Sequence, residues 1–171
     1  TRREDMKATK IIKELQLRTM IRIIDYESKH RADFESLNRV WIEKYFEMEP
    51  RDEYILTNPD EAILQKGGHI LVALYDGFVA GVVALVKLND ETYELSKMGV
   101  DENFRRKGIA EALSRAAFQK AKELKSRNII LFSNTRLEPA IQLYRKLGFK
   151  EVPLGEFSEY TRSNIKMELV L

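Results

Sequence analysis

Apolar residues recur along the chain at two periods, and the switches between them mark out the elements. Ala8, Ile11, Ile12 and Leu15 fall at helical spacing, which predicts an N-terminal helix over 4–18. "IRIIDY" (21–26) reads as a first strand. Phe34, Leu37, Trp41, Ile42 and Tyr45 then share a helical stripe over about 30–47, with Pro50 just past its end. "TNPDEAILQKGG" predicts a short helix, capped by Asn58, opened by Pro59 and stopped at Gly67. Two apolar runs follow, 69–75 and 78–88, joined by Asp76-Gly77. That dipeptide is a hairpin signal, because both central residues of a type I′ turn need positive φ. After a turn at Asn89-Asp90, "TYELSKMGV" (92–100) completes a meander.

A long helix comes next, with Ile109, Ala112, Leu113, Ala116 and Leu124 expected on one face. "NIILFSN" is a buried-looking strand, and "EPAIQLYRKLG" is a helix with Pro139 in its first turn and Gly148 at its stop. "FKEV" and "NIKMELVL" are closing strands. The segment between strands 92–100 and 128–134 is too long for a hairpin loop, so it is a crossover and those strands are parallel neighbours. The expected fold class is α/β with a mixed sheet flanked by helices. Its ligand site is expected where a strand ends and the crossover helix begins. Two parts are expected: an N-terminal helical extension over 1–20 and one domain over 21–171.

Composition narrows the function. With 44% apolar and 33% charged residues, the 171-residue chain suits a folded globular protein. The net charge of +2 gives no reason to expect a nucleic-acid partner. There is no cysteine, which excludes disulfides, thiolate metal sites and a Cys nucleophile. His30 and His69 are too isolated to suggest a metal site. The longest apolar run is broken by Asp76, Gly77, Gly81 and Lys87, so no membrane span is expected. The charged N-terminal stretch lacks a signal-peptide core, and the cytoplasm is the expected compartment.

The local oddity is "RRKGIA", 105–110. Arg105, Arg106 and Lys107 stand where a helix begins, although the first turn of a helix already carries partial positive charge. A helix N-terminus offers unpaired N–H groups, and a preceding glycine turns it into an anion site. Gly108 and the small Ala110 leave room for a bulky phosphate, and so many donors suit a pyrophosphate better than a carboxylate. Neither a Walker A loop nor a G-x-G-x-x-G fingerprint is present.

The segment resembles the Q/R-x-x-G-x-G/A pyrophosphate loop of the GCN5-related N-acetyltransferase (GNAT) superfamily, with Arg105, Gly108 and Ala110 at its three defining places. "YELSKMGVDENFRRKGIAEAL" and "SNTRLEPAIQLYRKLGF" are similar to the family's two central motifs, and the tail resembles the closing segment of small bacterial members. The likeness covers roughly 21–171 and extends to domains that stand alone or follow a MarR-type DNA-binding domain. It implies the GNAT acyl-CoA N-acyltransferase fold and acetyl-CoA as co-substrate, with no metal. The implied acceptor is a primary amine of a small or amino-acid-like molecule, with a homodimer as one option. A peptide or protein acetyltransferase and a non-catalytic acetyl-CoA sensor are the alternatives.

The resemblance also implies roles. Tyr144 corresponds to the tyrosine that protonates the coenzyme A sulfur. Glu94 is the candidate base; strand parity puts Glu94, Ser96, Met98 and Val100 on one face unless a bulge intervenes. Met98, Gly99 and Val100 match the backbone positions that hold the pantetheine arm and polarise the thioester. Gly99 is expected either to loosen that segment or to widen the acceptor pocket. Arg105, Arg106, Lys107, Gly108, Ile109 and Ala110 form the pyrophosphate loop, and Asn134 resembles an asparagine that reaches the coenzyme. Trp41, Tyr45 and Tyr160 are the acceptor-side candidates, with Phe46, Glu49, Arg51 and Arg162 nearby in the same expected pocket, although Trp41 and Tyr45, four apart on a helix, also fit plain core packing.

Overall fold

The computed structural model describes residues 1–155 and 160–171. In chain order these hold α1 (Arg2–Met20), β1 (Ile21–Asp25), α2 (Arg31–Tyr45), α3 (Pro50–Thr57), α4 (Pro59–Ala62), β2 (His69–Tyr75), β3 (Phe78–Lys87) and β4 (Thr92–Val100). They continue with α5 (Ile109–Glu123), β5 (Asn128–Ser133), α6 (Glu138–Lys146), β6 (Lys150–Val152) and β7 (Ile165–Val170). The strands form one mixed sheet in the order β1-β2-β3-β4-β5-β7-β6. Asp76 and Gly77 take φ of 48° and 83°, so the β2–β3 turn has the left-handed pair its dipeptide predicts.

Each face of the sheet carries its own core. On one side α5 lays Ile109, Leu113, Ala117 and Ala121 against Leu85, Leu95 and Leu131 of the strands. The buried stripe steps by four and uses small residues, so the helix sits close to the sheet. Leu124 lies past the last helical turn and stays exposed, contrary to the sequence expectation. On the other side Phe34, Ile42, Ile55 and Leu56 of α2 and α3 cover Ile70, Val72, Val82 and Ala84. Each such fully buried side chain contributes roughly 2 kcal/mol.

The periodicity did not reveal α3. Its eight residues bury only Asp52, Ile55 and Leu56, too short a stripe to stand out, although Pro50 opens it and Asp52 caps it. α1 runs straight into β1, and its stripe of Ile11, Ile12 and Leu15 is exposed rather than packed. None of the described helices is long and apolar enough to cross a membrane.

Two irregularities interrupt β4. β3 and β4 pair Ala84 with Ser96 but Val82 with Gly99, so β4 carries one extra residue. The bulge centres on Lys97, a non-glycine residue at φ 49°. It inverts the strand's parity: Tyr93 and Leu95 face α5 before it, and Met98 and Val100 pack on that same core after it. Glu94 and Met98 are therefore not on one face, and the expected four-residue alignment is corrected. The second irregularity is a parting of strands. β4 and β5 are parallel, as expected of a crossover, but they pair only from Thr92↔Asn128 to Glu94↔Ile130. Beyond that β5 stays with β7 as far as Ser133, and that edge of β4 is paired by no strand among the described residues.

Candidate active site

The gap between the parted strands opens into a cavity of about 620 Å³. Its floor is the far half of β4. One wall comes from α2, the other from the start of α6, and one end is closed by the cationic turn before α5.

That turn is built by backbone shape. Gly108 caps α5 at φ 79° and Arg106 stands at φ 60°, so two left-handed residues flank Lys107. Successive amides in such alternation turn their N–H groups into one concavity, which favours anions. Ala112 N–H donates to the Gly108 carbonyl at 3.0 Å, which starts the helical ladder and leaves the earlier amides without intrahelical partners. A Cβ at Gly108 would touch nothing within 4 Å, so glycine is required there by its φ rather than by crowding. The side chains divide. Arg105, Arg106 and Ala110 line the cavity, and Arg105 Nη2 also lies 3.2 Å from Glu102 Oε1. Ile109 is 2% exposed and anchors the helix in the core, so only its backbone is available. Lys107 turns away from the cavity, with its Nζ 5.1 Å from the Tyr75 ring centroid.

Along the floor, Met98 and Val100 line the cavity while Gly99 faces α2. A Cβ on Gly99 would lie 2.8 Å from the Leu37 carbonyl oxygen. The glycine therefore lets α2 pack onto β4. Its own atoms do not line the cavity.

Tyr144 sits half-buried in the α6 wall, its ring edge-on to Phe149 at 5.7 Å. Burial pushes its hydroxyl up to about 12, so it holds its proton throughout the physiological range. Glu94 lines the cavity from the start of the parted section of β4. Asn134 lines it too, but its side chain also ties down loops. Nδ2 donates to the Arg162 carbonyl at 2.7 Å, and Oδ1 accepts from the Arg136 amide at 2.8 Å.

The opposite end is held by buried charges. The Asp52 side chain is fully buried. Its Oδ1 accepts from Lys97 Nζ at 2.9 Å and from Arg162 Nη2 at 2.7 Å. Its Oδ2 accepts from Arg162 Nη1 at 2.6 Å and from the Glu49 amide at 3.0 Å. Burial alone would raise the Asp52 carboxyl, but the Arg162 hydrogen bonds and the Lys97 charge outweigh it and hold it at about 2. Two cations share that one carboxylate, and burial draws the Lys97 ammonium below the usual lysine range despite Asp52. Lys97 Nζ also donates to the Tyr160 hydroxyl at 2.9 Å, and burial drives that hydroxyl well above the ordinary phenol range.

Trp41, Tyr45 and Tyr160 all line this end. Trp41 donates its Nε1–H to Asn38 Oδ1 at 3.0 Å, so it serves core and pocket together. Among the described residues no group of His, Asp and Glu side chains could hold a metal ion.

Asp52 and Lys97 are functional-looking residues that sequence reasoning missed. One signal was present. In "TYELSKM" the apolar positions Tyr93 and Leu95 are followed at the same parity by a lysine. A charge at a core position calls for either a bulge or a buried partner, and this chain has both.

The parted pair of parallel strands lies beside a glycine-capped turn that favours anions. The acetyltransferase (GNAT) family model matches residues 34–149, more than half of the chain, and the protein belongs to that family. N-acetylaspartate synthetase from Danio rerio is 39% identical over 97 residues, 56% of this chain and 33% of that protein. The chain thus spans about a third of that relative's length. A GNAT acetyltransferase from Staphylococcus aureus superposes at a TM-score of 0.79, with 22% identity over 86% of this chain and 97% of that one. YncA from Salmonella typhimurium, solved with its cofactor acetyl-CoA, superposes at 0.65, with 17% identity over 88% and 94%.

Proposed function

We propose that the protein acetylates the primary amine of a small, amino-acid-like molecule by direct transfer within one ternary complex. The observation that supports this most is convergence. An anion-binding turn, an unpaired strand edge, a protonated tyrosine and a carboxylate all line one cavity.

In this reading the turn at 105–110 takes the pyrophosphate of acetyl-CoA, with Arg105 and Arg106 adding charge. The parted edge of β4 at 98–100 receives the pantetheine arm. Acetyl-CoA supplies an activated thioester. An acceptor amine with a pKa of about 10.4 is only ~10⁻³ unprotonated near neutrality, so attack needs a base. Glu94 takes that proton, directly or through a water. The amine nitrogen then bonds to the thioester carbon. A backbone N–H of the 98–100 segment faces the negative charge that builds on the carbonyl oxygen, an interaction worth several kcal/mol by analogy with oxyanion holes. The C–S bond breaks and Tyr144 gives its proton to the leaving thiolate; the second proton, which the attacking nitrogen loses as it becomes the amide, passes through solvent to the tyrosine oxygen, and Glu94 releases the first proton to solvent. The relative from Danio rerio is named for N-acetylaspartate, which puts aspartate first among acceptors to try.

A thiol-release assay with acetyl-CoA over amines, amino acids and peptides tests the proposal. Turnover of small amines supports it. Turnover of peptides alone, or coenzyme binding with no turnover, contradicts it.

A further inference from the structure

Among the described residues, the buried network leaves one guanidinium edge without an acceptor. Arg162 is 11% exposed and lines the acceptor end of the cavity. Its plane is set among three rings, with Cζ 4.3 Å from the Tyr160 centroid, 5.8 Å from Trp41 and 5.9 Å from Phe46. A guanidinium carries five N–H donors in a fixed fork. Nη1 gives both of its hydrogens to carboxylates, at 2.6 Å to Asp52 and 3.2 Å to Glu49. Nη2 gives one, at 2.7 Å, to the other Asp52 oxygen. The remaining Nη2–H and the Nε–H lie side by side on the second edge, and no acceptor among the described residues meets them. Two parallel donors of this kind match a carboxylate.

The charges around the edge agree. Asp52 and Glu49 balance Lys97 and Arg162, so a further anion meets no uncompensated negative charge within this group. Arg136 adds a cation at the cavity mouth. It is braced by donation to the Tyr45 carbonyl at 2.9 Å and stacked 5.4 Å from the Phe46 centroid, with no carboxylate partner among the described residues. Glu94 is the acid on the same cavity wall as Lys97.

We propose that the second edge of Arg162 grips a carboxylate of the acceptor, so that the acceptor is an amino carboxylate whose ammonium pairs with Glu94. Asp52 and Glu49 fix the first edge and thereby aim the second. Arg162 acts as a specificity determinant and takes no part in bond making. This rests on the amine-acetyltransferase reading above.

The test compares wild-type kcat/KM for aspartate, for its two monoamides and for an uncharged primary amine of similar size. Losing the gripped carboxylate lowers kcat/KM by ~10- to 100-fold, with the two monoamides revealing which carboxylate is read. Arg162→Lys keeps a cation for Asp52 and Glu49 but has no second edge, so the discrimination falls toward unity while acetyl-CoA affinity, read by calorimetry, is retained. Equal kcat/KM across the wild-type panel overturns the inference, as does full discrimination in Arg162→Lys. If that variant melts early, the wild-type panel alone decides. Turnover indifferent to carboxylates defeats only this inference. Absence of turnover with any amine, while acetyl-CoA binds, defeats the acetyltransferase reading and this inference with it.

Discussion

The two ends of the cavity are made of different materials. The end that we assign to the coenzyme is backbone: a bulge, a parted strand edge and a left-handed turn, with side chains adding charge at the rim. The end that we assign to the acceptor is side chains: Asp52, Lys97 and Arg162 from three distant segments meet in one buried ionic group beside aromatic rings. A backbone site recognises what every acetyl-CoA shares, and a short motif is enough to encode it. A side-chain site can be rebuilt at single positions, which suits the part of the molecule that chooses an acceptor. Lys97 joins the two ends, because the residue that kinks β4 also anchors the acceptor network.

That division can be strained at several points. The largest effect is expected from Tyr144→Phe, which removes the proposed acid and leaves the slot intact. It should lower kcat by ~10²–10⁴ and leave coenzyme affinity nearly unchanged. Because burial pushes the Tyr144 hydroxyl up to about 12, the acid stays protonated as pH rises, and wild-type kcat should show no alkaline fall from this group near pH ~10, where an ordinary tyrosine titrates. A fall there that vanishes in the variant would mean that the hydroxyl is not shielded.

Asp52→Ala strands two buried cations and should cost about 3–5 kcal/mol in a denaturant melt. If the coenzyme end is built independently, acetyl-CoA affinity of the folded variant should change by less than about tenfold. A larger loss would show that the ionic group also sets the slot. Gly108→Glu does the reverse. It places a bulky anion at a left-handed position in the phosphate turn and should weaken coenzyme A by roughly 100-fold or more, with a much smaller change in melting.

The smallest effect concerns acid. The Asp52 carboxyl titrates at about 2 in the folded protein, below the unfolded value of ~3.9. A lowered carboxylate contributes stability above its unfolded pKa and loses it as pH falls through the folded one. About 2 kcal/mol should therefore disappear between pH ~4 and pH ~2, and Asp52→Asn should remove that component from the pH dependence of stability. An unchanged acid limb in Asp52→Asn would assign the loss to other carboxylates.

Most of the architecture was legible because it rests on local signals. The Asp76-Gly77 turn, the crossover between β4 and β5 and the glycine-capped turn each lie in a short stretch of chain. The misses are matters of tertiary context. α3 is too short to show a period. The parity reversal comes from one inserted residue, the bulge that the strand reading had left open, and its one mark in the sequence is the lysine at a core-parity position. The role of Gly99 depends on the Leu37 carbonyl, 62 positions earlier in the chain. Asp52, Lys97 and Arg162 are 45 and 110 residues apart when counted from Asp52, so no spacing rule joins them. At the coenzyme end the residues read from the motif lie together, except that the Lys107 side chain points to Tyr75.

Hydrogen exchange of the backbone amides, with and without saturating coenzyme A, tests the central claim most directly. The account predicts slowed exchange concentrated at 105–110 and 98–100, with the amides of α3 little changed. Saturated protein in which those two stretches exchange as fast as before, and protection appears elsewhere, would contradict it.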